Sequence, residues 1–389
     1  MLKRTPLYEN HQKLGARLVE FGGWEMPVQY TGIVDEHQTV RTAAGMFDIS
    51  HMGEVRVSGP SALAFLNGVL TNDLRKLAVG QGQYTLLCNE RGGVIDDLYA
   101  YRLADQEFLL IINASRIDSD VGWLQAQFRK FAPSVGSELL DISDQIGAVA
   151  VQGPKVAQFI DQCFPASTAG GADAWKPSDL AKNQICAVDW NEHRLWISRT
   201  GYTGEDGFEI LADAQSIVPV WEQVLKIGQP YGLKPAGLGA RDTLRTEACY
   251  ALYGHELDED TTPLEAGLGF FVALDKGEFV GRSALVAQKQ KGVGKKCVAF
   301  KMSEKSAPAR PHYPIWSGGT EAQRIGEVVS GTQSPSLGIG IGLGYVPPAS
   351  AKPGTEIQIE IRGKRFGAAI VPKPIYRKPA ISQFMTDPT

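Results

Sequence analysis

Tyr84-Thr85-Leu86-Leu87-Cys88, the turn Asn89-Glu90-Arg91-Gly92-Gly93, and then Val94-Ile95-Asp96-Asp97-Leu98 read as two strands folded back on one another. The second run continues to about residue 102. Around this hairpin the chain alternates strands with helices. Upstream, Glu54-Val55-Arg56-Val57-Ser58 has the period of two of a half-buried strand, and Gly59-Pro60-Ser61 then opens a helix that runs through Leu66. Residues 34–44 predict a helix, with Asp35 and Glu36 near its start where they oppose the helix dipole. Downstream, Phe108-Leu109-Leu110-Ile111-Ile112-Asn113 is another apolar strand. Ala148-Val149-Ala150-Val151-Gln152-Gly153-Pro154 repeats the device of strand, Gly-Pro and helix, and the echo points to two related α+β lobes. After Leu268 the texture changes. Lys289-Gln290-Lys291-Gly292-Val293-Gly294-Lys295-Lys296 reads as a solvated linker, and short strands with Gly and Pro turns follow to about Pro372, the spacing of a β-barrel. The expected class is α+β, with two intertwined lobes over 1–285, a linker over 286–297, a barrel over 298–378 and a tail over 379–389.

Composition narrows the function. A chain of 389 residues is long enough for two or three domains, and 43% hydrophobic with 21% charged residues is ordinary for a globular protein. A net charge of -4 supplies no basic field for a phosphate backbone, so nucleic acid is not an expected partner. No apolar run approaches the roughly 18 residues that span a bilayer, and no membrane association is expected. The start, Met1-Leu2-Lys3-Arg4-Thr5-Pro6, shows no signal-peptide apolar region, and the expected location is cytoplasmic. Cys88, Cys163, Cys186, Cys249 and Cys297 are widely spaced with no Cys-x-x-Cys pair, so reduced thiols are expected and neither disulfides nor zinc.

The candidate site chemistry lies in three segments. Arg199-Thr200-Gly201-Tyr202-Thr203-Gly204-Glu205-Asp206-Gly207-Phe208-Glu209-Ile210 packs glycines, acids and an aromatic between strand-like runs, and its glycines are read as room for a flat ligand to approach the backbone. Gly239-Ala240-Arg241-Asp242-Thr243-Leu244-Arg245 follows, and the hairpin acids precede both. Together they suggest one polar pocket assembled from distant parts of the chain. On residue type alone, Asp96 and Asp97 are as well explained as the end of a Gly-Gly hairpin, and Arg241 as an ion pair with Asp242 or Glu247. Other motifs fail. His255-Glu256 opens like a zincin signature, but position 259 is Glu rather than a second histidine. The alternating glycines at 338, 340, 342 and 344 lack the third glycine of a dinucleotide fingerprint and read as a barrel strand. His51 follows Ser50, yet neighbours on an extended chain point apart, so a structural or channel-lining histidine is expected.

The ordered set Thr5-Pro6-Leu7-Tyr8, Phe47-Asp48-Ile49-Ser50-His51-Met52-Gly53, the segment 92–98, Val151-Gln152-Gly153-Pro154, the segments 201–210 and 240–245, and Leu252-Tyr253-Gly254-His255-Glu256-Leu257 closely resembles the T-protein family of the glycine cleavage system. Val329-Ser330-Gly331-Thr332-Gln333-Ser334-Pro335-Ser336 and Leu343-Gly344-Tyr345-Val346-Pro347 look like that family's terminal barrel. The resemblance implies three domains in a cloverleaf, tetrahydrofolate in a central channel, no metal, and a lipoylated H-protein as partner. The activity it implies is a folate-dependent aminomethyltransferase, which captures a methylene unit as 5,10-methylenetetrahydrofolate and releases ammonia. By the same resemblance Asp97 is the catalytic aspartate, and Glu209, Arg241 and Tyr202 are folate contacts. Tyr84, Asn113 and Tyr250 sit in matching segments as further contacts. With an extended strand, Asp96 is expected on the face opposite Asp97. Two alternatives stand beside it: a demethylase of an N-methyl or sulfonium donor, which shares the acceptor, and a folate-binding protein without transfer activity. The lysines between 289 and 296 are candidates for docking the lipoyl carrier.

Overall fold

A computed structural model describes residues 2–165, 168–319 and 321–378 of the chain. The expected tail over 379–389 lies outside the described residues. The fold is α+β. The predicted hairpin is present: Gln81–Cys88 pairs antiparallel with Val94–Ala104, and the strand Glu107–Ile112, then Gly53–Ser58, then Glu138–Asp141 complete a five-stranded sheet. Its outer face carries Val55, Val57, Ala100, Phe108 and Leu110, which pack on Phe65, Leu66 and Leu124 of the helices Ala62–Val69 and Ile117–Phe131. Period-two alternation along each strand sends these apolar residues to one side and leaves Glu54, Arg56, Asp97, Tyr99, Tyr101 and Leu109 on the other.

A second sheet faces that other side. Its seven strands run, edge to edge, Thr168–Gly171, Ile185–Trp190, His193–Ser198, Gly207–Asp213, Ile146–Gln152, Ala44–Asp48 and Leu233–Pro235, and only the last pair is parallel. The helix Ile217–Gly228 covers its outer face with Trp221, Val220 and Val224. Tyr101, Leu103 and Leu109 of the first sheet meet Phe47, Ala148, Ala150, Ile185 and Leu211 of the second in a buried layer. Successive strands Ala44–Asp48 and Gly53–Ser58 belong to different sheets, so the lobes are intertwined in topology as well as in contact.

The third unit is a closed six-stranded barrel, in the order Lys296–Met302, Gly340–Val346, Arg324–Gln333, Pro314–Ser317, Glu356–Ile361 and Lys364–Val371, with Phe300, Ile315, Val328, Ile357 and Ile359 inside. The lysine-rich stretch before it is not a free linker. Residues up to Lys291 finish the helix Arg282–Lys291, whose Leu285 is buried, and Lys296 already begins a barrel strand. Lys295 is engaged, its Nζ donating to Thr261 Oγ1 at 2.9 Å and lying 4.7 Å over the Tyr345 ring. A lysine's long stem covers apolar surface while its head stays wet, so charge alone does not mark a segment as unpacked. The five cysteines are free thiols, four of them buried. Among the described residues, no helix is long and apolar enough to cross a membrane.

Candidate functional site

The hairpin acids lie where the two sheets and the segment 249–272 meet. Asp97 is flanked by two donors: Tyr84 Oη to its Oδ2 at 2.8 Å, and Asn113 Nδ2 to its Oδ1 at 3.0 Å. Tyr84 comes from the partner strand, and Asn113 stands just past the end of Glu107–Ile112. Burial, and next the charge of Asp96, push the Asp97 carboxyl up to about 7, against the pull of these two hydrogen bonds. The carboxyl therefore changes charge near neutral pH.

Asp96 takes the opposite face of the strand, as expected, yet both carboxyls are tied to Asn113. Asn113 Nδ2 also donates to Asp96 Oδ1 at 2.8 Å, and its backbone N–H donates to Asp96 Oδ2 at 3.0 Å. The register slips at this end of the hairpin, with Leu87 opposite Asp96 but Cys88 opposite Val94. The slip falls between Asp96 and Val94, so Asp96 and Asp97 keep the alternation of a regular strand, and Asn113 at the sheet's rim reaches both carboxyls. Behind Asp96 lies Asp120, fully buried on the helix Ile117–Phe131, with Arg116 Nε 3.6 Å from its Oδ1. Burial pushes Asp120 up to about 6, while burial and then Asp120 itself hold Asp96 well above the carboxylate range. Two enclosed acids in contact cannot both ionise cheaply, so this pair keeps a proton behind Asp97.

The second sheet supplies the rest. Glu209 Oε2 accepts from Thr200 Oγ1 at 2.7 Å, and Thr200 is tied in turn to Tyr101 Oη at 2.9 Å and Ser198 Oγ at 2.7 Å. Burial raises Glu209 despite Thr200 and Arg241, which favour its charge. Arg241, on the helix Leu238–Ala248, lies 4.7 Å over the Tyr202 ring, and the Tyr202 and Tyr250 rings are 5.8 Å apart and tilted by 31°. Tyr202 donates its hydroxyl to the carbonyl of Ala251. Arg241 does not make the ion pairs that its neighbours suggest: Asp242 accepts from Arg245 at 2.8 Å, and Glu247 is bound by Arg41 at 2.8 Å. Its own Nη1 is buried without a partner. A guanidinium donor left unpaired against a Tyr–Glu wall is a place where a ligand acceptor fits.

All seven residues expected from sequence thus sit on the walls of one region, Tyr84, Asp97 and Asn113 from the first sheet and Tyr202, Glu209, Arg241 and Tyr250 from the other side. The glycines of the 199–210 stretch serve a different purpose from the one read in them. A Cβ on Gly201 would lie 1.8 Å from Gln152 Oε1, so the cleared space is filled by the protein's own Gln152, which holds Thr200 O and Thr203 Oγ1. Sequence reading missed Asp120 and Thr200 as site neighbours. Thr200 lay in the quoted stretch and its spacing from Glu209 across a turn was a usable signal; Asp120 looked like any first-turn helix acid. His51 is buried, edge-on to Phe21, and burial first of all lowers it to about 4, which suits a structural imidazole. Among the described residues, no group of three or more His, Cys, Asp or Glu is placed to hold a metal ion.

Comparison with known proteins gives the family. Residues 7–276 match the GCVT N-terminal domain, and residues 295–377 match the glycine cleavage T-protein C-terminal barrel domain. The chain belongs to the glycine cleavage T-protein family of aminomethyltransferases. It is 48% identical over 379 residues to an aminomethyltransferase of Symbiobacterium thermophilum, covering 97% of this chain and 98% of the relative. An aminomethyltransferase of Desulfitobacterium hafniense is 46% identical over 377 residues, covering 97% and 99% of the two chains. The crystal structure of glycine cleavage system aminomethyltransferase T from Bartonella henselae superposes with a TM-score of 0.86 at 34% identity, covering 97% of this chain and 98% of that one.

Proposed function

We propose that this chain transfers the methylene carbon of an aminomethyl group, carried through sulfur on the lipoyl arm of an H-protein, to tetrahydrofolate. The products are ammonia, the free lipoyl thiol and 5,10-methylenetetrahydrofolate. One carbon–sulfur and one carbon–nitrogen bond break, two carbon–nitrogen bonds to the folate form, and the two displaced N–H protons leave with the sulfur and the ammonia. The observation that carries the reading is the Asp97 carboxyl, enclosed between Tyr84 and Asn113 and pushed up to about 7.

Positive charge develops on the transferring carbon and its nitrogens, and a fixed carboxylate beside that charge lowers the barrier without reorganising at the moment of reaction. Tyr84 and Asn113 fix the carboxylate's direction. Asp97 near 7 also suits a group that takes a proton from an attacking amine. The unpaired Nη1 of Arg241 is suited to an acceptor on the folate, Glu209 to the pterin's N–H donors, and the rings of Tyr202 and Tyr250 to its flat face. The test is a reconstituted assay with aminomethyl-loaded lipoyl carrier and tetrahydrofolate, following ammonia and methylenetetrahydrofolate together. Equal yields of both, each dependent on the carrier, support the proposal; folate methylation from an N-methyl or sulfonium donor without the carrier would replace it with a demethylase.

A further inference from the structure

The layer between the sheets opens at the end away from Asp97. Along the strand Gly207–Asp213 the inner face passes from Glu209, in the site, to Leu211, and Leu211 lies opposite Trp196 as Glu209 lies opposite Ser198. Beyond this point a cavity of about 260 Å³ is lined by Glu54, Arg56, Leu109, Trp196 and Leu211, among others. Tyr101, paired with Leu109 and buried, stands between this cavity and Thr200, the residue that holds Glu209.

Two polar groups on its wall are left unused. Glu54 is only 1% exposed, and its Oε2 has no hydrogen-bond partner. Arg56 Nε is likewise sealed from solvent without one. They sit two residues apart on the same face of Gly53–Ser58, about 6.6–6.8 Å apart along the strand. Opposite charges that close would ordinarily pair, yet among the described residues no ion pair or hydrogen bond joins their side chains, although stranding such atoms costs several kcal/mol in order of magnitude. Burial, and then Asp141, hold the Glu54 carboxyl well above the usual range. Leu103, Leu109 and Leu211 give the cavity an apolar, not fully closed stretch of wall at 6%, 4% and 5% exposure, and Glu107, Gln145, Arg194 and Asp213 also line it.

We infer that this rear cleft binds a free α-amino acid with an apolar side chain, its ammonium on Glu54, its carboxylate on Arg56, and its side chain against Trp196, Leu109 and Leu211. A zwitterion carries both complementary charges on one carbon, which satisfies both orphaned groups with a single small molecule. The cavity lies just under the roughly 300–1,000 Å³ of sites for drug-sized ligands, so the occupant is of amino-acid size. The site shares no side chain with the transfer site, and it stands or falls independently of the transfer reaction.

Isothermal titration calorimetry of the full chain with L-leucine, 3-methylbutylamine, 4-methylpentanoate and glycine reads the inference directly. Saturable one-site binding of L-leucine is expected. The amine and the acid, each lacking one charge, and glycine, lacking the side chain, should each bind at least about tenfold more weakly, equivalent to 1.4 kcal/mol. Glu54→Gln should weaken L-leucine by at least about tenfold while folate-dependent turnover stays at the wild-type rate. Arg56→Gln, at a less buried position, gives the same readout should the Glu54 variant fold poorly. The inference is overturned by the absence of saturable binding for both L-leucine and L-phenylalanine, by glycine or a singly charged analogue binding as tightly as L-leucine, or by wild-type affinity in both variants.

Discussion

Replacing Asp97 by Asn changes the charge of the site and almost nothing of its volume. The amide keeps one acceptor for Tyr84 or Asn113, whose donors stand at 2.8 and 3.0 Å, and sets an N–H₂ against the other. A unit charge about 4 Å from a developing cation is worth roughly 4 kcal/mol at an effective dielectric constant of 20. Part of that is repaid by the amide dipole, and loss of one preorganised group of this kind typically costs about 2.7–4 kcal/mol, or 10²–10³ in rate. Single-turnover formation of methylenetetrahydrofolate should therefore slow by about a hundredfold or more, with folate affinity changed far less. Stability should move the other way. An acid raised from 3.8 to about 7 favours the unfolded state once pH exceeds the unfolded value, and the loss is complete above the folded one. The Asn variant should thus match wild type at pH 4 and exceed it at pH 8, by at most about 4 kcal/mol from three units at 1.36 kcal/mol each. Denaturant unfolding at the two pH values measures it. Wild-type turnover in the variant would refute the catalytic reasoning, and a variant less stable at pH 8 than wild type would refute the electrostatic one.

Arg241→Ala and Glu209→Ala should each weaken tetrahydrofolate binding by about 1–3 kcal/mol, read by equilibrium titration, because each strands a polar partner. Wild-type turnover should fall as pH drops through about 7, where Asp97 takes up its proton. Glu247→Ala should cost about 3–5 kcal/mol by denaturant unfolding at pH 7, because the buried Arg41 loses its counter-charge. Burial alone would raise Glu247, yet His37, Ser334 and Arg41 hold it down to about 2, so its stabilisation is present above the ordinary carboxylate range and is lost as pH falls toward 2.

The hairpin and the barrel were legible because alternation and turn residues act over a few positions. Tyr84, Asp97 and Asn113 were legible as members of one site only through the ordered motifs, since nothing local says that Asn113 reaches back 16 residues to Asp97. Asp96 and Asp97 take opposite faces as strand parity expects, and what parity could not give is that Asn113, at the sheet's rim, reaches both. Residues 286–291 were read as linker because their lysines hide the end of a helix whose one buried residue is Leu285, so its apolar periodicity is weak. The partners of Arg41 and Arg245 lie more than 80 residues away in part, at Glu247 and Ser330, and such pairings belong to tertiary packing alone.

The helix Leu238–Ala248 places Arg241 at the site, but four and six residues later it is fastened to the barrel. Arg245 Nη2 donates to Ser330 Oγ at 2.8 Å, and Glu247 accepts from Ser334 and, at 2.8 Å, from Ser336. Lifting the barrel away would leave both charged side chains short of partners in a poorly hydrated seam, so local opening there is costly and the three units breathe as one. A ligand held by Arg241 then quiets motion well beyond its own reach: amide exchange in Arg324–Gln333, a strand outside the proposed pocket, should slow when folate binds.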